Sequence, residues 1–227
     1  MPLYLLSDEL FFPPVTDALP EGLLAIGGDL SVPRLLLAYE KGIFPWYSHD
    51  DPIMWWSPDP RCVLYHRKLK VSKSMRNVLN RKNYNITFDQ EFDAVIEACA
   101  SIERKGEDGT WITNDIKSSY VALHELGLAH SVEVWMDDEL VGGLYGLSLG
   151  GMFFGESMFS KRSNASKIAF IHLSNVLAEK GFLAVDCQVM NSHLASLGAI
   201  NVPREDFISL LNEALKMPTI KGTWQAF

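Results

Sequence analysis

The spacing of apolar and polar positions changes several times along this chain, and each change marks an element. Residues 1–60 hold most of the eleven prolines, so this stretch should be compact, turn-rich and short of long elements. One helix is legible inside it. Ser31 is placed to cap, Pro33 suits the first turn, Arg34-Leu-Leu-Leu-Ala-Tyr39 forms the body, and Gly42 stops it. Beyond residue 60 the pattern becomes regular. Ser72 followed by Lys73-Ser-Met-Arg-Asn-Val-Leu79 predicts a short capped helix with Met75, Val78 and Leu79 inward. Phe92–Ala100 and Asp115–Leu126 also read as helices, the second capped by Asn114 or Asp115 and ended by Gly127. A β-meander follows: Ser131–Met136, a turn at Asp137-Asp138, Leu140–Leu149, a turn at Gly150-Gly151, then Met152–Phe159. A helix from about Asn164 to Lys180 ends at Gly181. An apolar strand Phe182–Val189 and short helices near Ser192–Leu197 and Arg204–Lys216 close the series.

This order predicts an α+β fold with a mixed central sheet, divided into a small domain over 1–60 and a larger one over 61–227. The chain has 227 residues, enough to bury a core without staples. Its net charge of −8 excludes a uniformly basic nucleic-acid coat, so any such site must be a local patch. The three cysteines, Cys62, Cys99 and Cys187, form no C-x-x-C pair and read as reduced thiols. The start has no basic leader region, and no apolar run is long enough to span a membrane. A cytoplasmic protein is expected. No coiled coil or exposed apolar helix stripe stands out, which favours a monomer.

Two motif matches fail on context. Gly146-Leu-Ser148-Leu-Gly150 fits G-x-S-x-G, but a strand follows where a nucleophile elbow needs a helix. It reads instead as a glycine-rich strand pair that lets backbones approach closely. The six histidines have no metal-ligand spacing, and no metal site is expected.

Three features carry more. From Pro60 to Phe88 there are eight Lys or Arg (Arg61, Arg67, Lys68, Lys70, Lys73, Arg76, Arg81, Lys82) and no acid. Such a run is usually a solvated face, but it also suits binding to a phosphate backbone. Next to it, Ile43–Pro60 has four prolines and five aromatics, including Trp46, Trp55 and Trp56, with one of the last two expected in the core. Exposed aromatics beside basic charge suit unpaired bases, pointing to a single-stranded nucleic-acid end. Asp186 and Gln188 interrupt the apolar strand Phe182–Val189. Strict alternation puts both on one face and Cys187 on the other. A carboxylate there must be paired or used. It is either bonded to backbone amides or a lysine such as Lys167, or it serves a cation or amine. Glu156 is a second acid inside an apolar strand.

The chain resembles the bacterial leucyl/phenylalanyl-tRNA–protein transferases over essentially its whole length. The stretches that carry the resemblance are Gly22–Leu30, Gly42-Ile-Phe-Pro-Trp46, Trp55–Arg61, Gly109-Thr-Trp-Ile-Thr113, Gly155–Ser160, Asn164–Lys167, Asp186-Cys-Gln-Val189 and Ala195–Ala199. The resemblance implies transfer of Leu or Phe, less often Met, from aminoacyl-tRNA to proteins with N-terminal Arg or Lys, which marks them for N-end rule degradation. It implies a small N-terminal domain beside a domain like that of the GCN5-type acetyltransferases. No cofactor is implied, and Ser160–Ser166 lacks the glycines of a coenzyme A loop. Two alternatives stay open, a peptidoglycan-type aminoacyltransferase and a non-catalytic aminoacyl-tRNA-binding module.

By the same resemblance, Trp46 and Trp111 sandwich the terminal adenine, with Tyr39 and Tyr120 near that end. Leu144, Phe153, Phe170, Leu173 and Val185 line the side-chain pocket, and Asn191 is a further substrate-binding residue. Phe153 and Glu156 have opposite strand parity, so they share a site only if the strand is bent or bulged at Gly155. Asp186, Gln188 and Glu156 form the catalytic centre. Gln188 is expected to orient the amine and Asp186 to polarise Gln188, while Glu156, with or without Asp186, holds the acceptor's cation. Water or the ribose 2′-hydroxyl would complete the proton transfer. Lys70, Lys73, Arg76, Arg81 and Lys82 are expected to contact acceptor-stem phosphates.

Overall fold

Four short strands of the proline-rich N-terminal segment form one sheet, and seven strands of the remaining chain form another. The computed structural model describes residues 3–102 and 111–227. In the first sheet, β1 (Tyr4–Leu6) pairs parallel with β2 (Leu23–Gly27). β4 (Met54–Trp56) then joins β2 to β3 (Phe44–Pro45) by antiparallel pairing. Neighbours on a strand face opposite sides, and this separates the adjacent tryptophans. Trp55 is fully buried, meets Phe12 edge-on at 4.8 Å and donates from Nε1 to the Gly27 carbonyl at 2.9 Å. Trp56 turns the other way and donates to the Trp46 carbonyl at 2.6 Å. Trp55 is therefore the core member of the pair. The helix α1 (Val32–Glu40) lies between these strands with Pro33 in its first turn and Gly42 at φ 73° just past its end. Ser31 makes no side-chain cap. Asp29 Oδ1 instead accepts from the Ser31 amide at 2.8 Å.

The second sheet uses β5 (Arg61–Leu64), β6 (Asn85–Phe88), β7 (Ala129–Met136), β8 (Glu139–Leu149), β9 (Met152–Ser160), β10 (Ala184–Gln188) and β11 (Ile200–Val202). Their order is β11-β5-β10-β9-β8-β7-β6, antiparallel except for the parallel neighbours β9 and β10. The expected α+β class with a mixed sheet is the one observed. The helix α5 (Ala165–Glu179) makes the crossover between β9 and β10 and packs on β8, which carries no side chain at Gly142. A Cβ at Gly142 would lie 2.4 Å from the Ala165 Cβ, so glycine there sets how closely helix and sheet approach. The predicted G-x-S-x-G segment is strand and turn, followed by another strand, with Ser148 buried.

The helices α2 (Lys73–Arg81), α3 (Phe92–Ser101), α4 (Asn114–Glu125), α6 (Ser192–Leu197) and α7 (Arg204–Leu215) complete the fold. Ser72 caps α2 as expected, its Oγ accepting from the Met75 amide at 3.1 Å. The cap of α4 is Thr113, one residue before the expected positions, and its Oγ1 accepts from the Ile116 amide. Two cores result. One gathers α1, α3, α4, α7 and the N-terminal sheet, and the other gathers α2, α5 and the C-terminal segment around Trp224. Trp224 is fully buried, stacks on His130 at 3.7 Å, and donates its amide to Asp89 Oδ2 at 2.7 Å.

Arg61 and Asp186 are both fully buried and lie on the adjacent strands β5 and β10. Arg61 Nε and Nη2 reach the two carboxylate oxygens at 2.8 and 2.7 Å, and Nη1 donates to the Gly42 carbonyl at 3.1 Å. The guanidinium lies 4.7 and 4.5 Å from the ring centroids of Phe44 and Phe207. One side chain thus ties β10 to the N-terminal segment and to α7. Removing one partner strands a buried charge, so Arg61→Met is expected to cost about 3–5 kcal/mol in urea unfolding. Arg61→Met with Asp186→Leu should recover most of that loss, because an apolar pair needs no compensation. A double variant no more stable than the single one would contradict this.

Candidate active site

Two bulges build the centre. Between β8 and β9, Tyr145 faces Ser157 and Gly146 faces Gly155, so Glu156 is an extra residue on β9. Between β5 and β10, Asp186 faces Val63 and Gln188 faces Cys62, so Cys187 is extra on β10. The register of β9 with β10 runs from Ala184↔Met152 to Asp186↔Phe154, and Glu156 and Gln188 lie just beyond it. Gln188 has φ 60°, a left-handed conformation that turns its side chain across the gap. Its Nε2 donates to Glu156 Oε1 at 2.9 Å. The distortion expected at Gly155 exists, and the extra residue is Glu156 itself.

Strict alternation misplaces Asp186. Val185 and Cys187 line the adjoining cleft, Asp186 does not, and Gln188 reaches the cleft only because of the bulge. The partner of Asp186 is Arg61, not Lys167, and Asp186 Oδ1 also accepts from the Gln188 backbone amide at 2.9 Å. Asp186 therefore holds the Gln188 backbone. It makes no hydrogen bond to the Gln188 side-chain amide among the described residues. Nor does it face the cleft to hold a cation, because the Arg61 guanidinium already covers it. Seven of the eight basic residues in the 60–88 stretch are exposed, and Arg61 is the buried exception. One signal pointed to it: an isolated acid in an apolar strand requires an opposite charge.

Glu156 stands over a buried pair of phenols. Tyr39 donates to Glu156 Oε1 at 2.7 Å, and the Tyr39 and Tyr120 hydroxyls bond each other. Neither tyrosine lines the cleft; both are fully buried behind Glu156. Glu156 Oε2 is sealed from solvent and has no hydrogen-bond partner among the described residues. Burial pushes the Glu156 pKa up to about 7, opposed by the Tyr39 and Tyr120 hydroxyls, raised by the Asp186 charge and lowered by Gln188. Burial, joined by the nearby Glu156 carboxylate, raises both phenols well above their usual value, so they stay protonated donors.

The cleft beside this centre has a volume of about 540 Å³. Trp46 and Trp111 line one part, and Trp46 is 43% exposed with its ring 5.8 Å from that of Trp56. Leu144, Phe153, Phe170, Leu173 and Val185 line an apolar part, where Phe153 is backed by Trp224 at 6.0 Å. Gly146 makes room there, since a Cβ on it would lie 2.6 Å from the Phe153 ring. Asn191 lines the cleft and also caps α6, its Oδ1 accepting from the Leu194 amide at 2.8 Å. His193, Met158 and Met190 line it too and were not singled out by sequence; lone histidines and methionines carry no pattern that would have found them. Of the Gly109–Thr113 stretch, Gly109 and Thr110 lie outside the described residues. Lys70, Lys73, Arg76, Arg81 and Lys82 are all exposed, form no ion pair with any described residue, and do not line the cleft.

Comparison with known proteins agrees along nearly the whole chain. The family described as "Leucyl/phenylalanyl-tRNA protein transferase" matches residues 63–212, and its N-terminal domain matches residues 28–59. A protein of Syntrophus aciditrophicus (strain SB) named leucyl/phenylalanyl-tRNA–protein transferase is 56% identical over 224 residues, covering 99% of this chain and 94% of its own. A protein of the same name from Pseudomonas fluorescens (strain SBW25) is 52% identical over 223 residues, covering 97% and 98%. Among solved structures, L-PGS from Bacillus licheniformis overlaps 74% of this chain and 53% of its own at TM-score 0.41 and 14% identity. The chain belongs to the leucyl/phenylalanyl-tRNA protein transferase family.

Proposed function

We propose that this protein transfers Leu or Phe, and less often Met, from aminoacyl-tRNA to the α-amino group of proteins that begin with Arg or Lys, marking them for N-end rule degradation. One observation carries the reading. A single cleft joins two indoles, the Glu156–Gln188 pair and an apolar end built from Leu144, Phe153, Phe170, Leu173 and Val185. Those three parts correspond to the three parts of an aminoacyl-adenosine end: the base, the ester and the side chain. Trp46 and Trp111 take the terminal adenine by stacking, worth about 1–3 kcal/mol per base. The ester is already activated, so the protein's contribution is to hold the amine against the carbonyl and manage its proton. Gln188 orients the amine. Its Nε2 is engaged by Glu156, which leaves the amide oxygen to accept from the incoming N–H.

An apolar pocket separates side chains by only about 1–3 kcal/mol per methylene, so some Met transfer accompanies Leu and Phe. The exposed Lys70, Lys73, Arg76, Arg81 and Lys82 take acceptor-stem phosphates, contacts that carry no sequence information. In this reading residues 1–60 are a separate small domain that supplies Trp46, residues 61–227 carry the transfer, and the protein acts in the cytoplasm as a monomer. No helix of the described residues is long and apolar enough to cross a membrane.

Labelled leucine from charged tRNA is expected to appear at the N-terminus of an Arg-starting peptide and not of an Ala-starting one. Binding of charged tRNA without transfer would contradict the reading and mark a capture module; transfer only to a muropeptide amine would move the activity to peptidoglycan. Charge reversal at Lys73 and Arg76 should weaken leucyl- and phenylalanyl-tRNA equally and reduce the salt dependence of binding by roughly one phosphate per residue. A loss confined to one tRNA would refute the phosphate assignment.

A further inference from the structure

Ester aminolysis moves a proton, and the cleft must provide a group to take it. The α-amino group has a pKa of about 8, so it arrives largely as ammonium near neutral pH, and after attack the new amide nitrogen must shed a further proton. Gln188 is a neutral amide and cannot keep one. Asp186 is closed off: both oxygens face Arg61, one also takes the Gln188 amide, and the side chain is fully buried away from the cleft. Glu156 is different. Oε1 carries two donors, the Tyr39 hydroxyl and Gln188 Nε2, while Oε2 has no partner among the described residues and the residue lines the cleft.

We infer, on the transferase reading above, that Glu156 is the catalytic acid–base: Oε2 takes the proton of the attacking α-amino group and returns it to the departing ribose oxygen. The nitrogen lone pair forms the C–N bond to the ester carbonyl, and the N–H proton passes to Oε2. The C–O bond to the ribose then breaks with its electron pair on oxygen, which receives that same proton. The products are an amide and a free ribose hydroxyl, and Glu156 ends as it began.

The surroundings favour this role. Gln188 bridges the amine and Glu156, so the group that orients the nucleophile also sits against the group that deprotonates it. Among the described residues, the charged and titratable neighbours can be named. Tyr39 from α1 and Tyr120 from α4 lie behind the carboxylate, Tyr145 from β8 packs on Tyr120 at 5.5 Å, and Asp186 from β10 is neutralised by Arg61 from β5. The phenols stay protonated and steady the carboxylate without taking its proton. Burial places Glu156 at about 7, close to the amine it must serve, so it exchanges a proton in both directions. A carboxylate dedicated to an arginine or lysine side chain would gain from staying ionised, whereas burial holds this one near neutrality.

The test is the pH dependence of single-turnover transfer from leucyl-tRNA to matched peptides that begin with Arg or with citrulline. In the natural protein the rate should rise with pH through about 7 as Glu156 ionises, and again through about 8 as the amine does. Glu156→Gln should remove the lower limb and slow both peptides on the order of 10²-fold at pH 7, leaving the preference for Arg over citrulline unchanged. Tyr39→Phe deletes a hydrogen bond that stabilises the ionised carboxylate, so the lower limb should move to higher pH. This second variant decides the matter even if the first fails to fold. Retention of the lower limb in Glu156→Gln, or no movement of it in Tyr39→Phe, would overturn the assignment. So would loss of the Arg preference in Glu156→Gln with an unchanged rate on citrulline, which would make Glu156 a cation site. No transfer by the natural protein at any pH would instead defeat the transferase reading itself.

Discussion

The centre depends on one buried ion pair. Asp186 cannot sit uncharged-for in an apolar strand, and Arg61 is the cation that answers it. Because the guanidinium takes both carboxylate oxygens, its geometry fixes the Asp186 side chain, and Asp186 in turn fixes the Gln188 amide. That last bond holds β10 in a bulge and keeps Gln188 at φ 60°. Arg61 reaches further, to the Gly42 carbonyl and the Phe44 ring, two residues from Trp46. The same side chain therefore sets where the indole stands and where the amide points. A fold needs no such pair for stability, since apolar groups would pack as well. What the pair supplies is a fixed register between the two ends of the cleft.

Against that frame the chemistry has a simple division. The two carboxylates of the centre come from neighbouring strands and have opposite fates. One is saturated and holds a backbone; the other keeps an oxygen unpartnered and an ionisation near neutrality. Environments that push similar groups apart in this way are the pattern by which the proposal tells a structural acid from a working one. On the proposed reading, the apolar end of the cleft adds selectivity through shape alone. Trp224 behind Phe153 and the missing side chain at Gly146 are the two features that give that wall its position.

Much of this is legible in the sequence. The long periodic elements after residue 60 were recovered with their caps at Ser72 and their stops at Gly127 and Gly181, because 3.6-residue periodicity and turn chemistry are local signals. The short strands β1 to β6 and β11 leave no local signal, because their pairing is long-range and so few positions carry little pattern. Trp46, Trp111, Glu156, Gln188, Asn191 and the apolar candidates line one cleft, with Tyr39 and Tyr120 behind it, Asp186 beneath it and the basic candidates outside it. The place of Asp186 has a local cause. Parity along a strand assumes no extra residue, and both functional strands carry one, at Glu156 and at Cys187. Arg61 was hidden differently, as the first member of a run whose other seven members are exposed.

The most direct test of the account is a crystal structure with an adenosine that carries leucine through an amide in place of the ester. The account predicts the adenine between Trp46 and Trp111, the leucine side chain among Leu144, Phe153 and Phe170, and the acyl carbon within reach of Glu156 and Gln188. An analogue bound with its base away from both indoles, or with its side chain turned out of that apolar end, would contradict it.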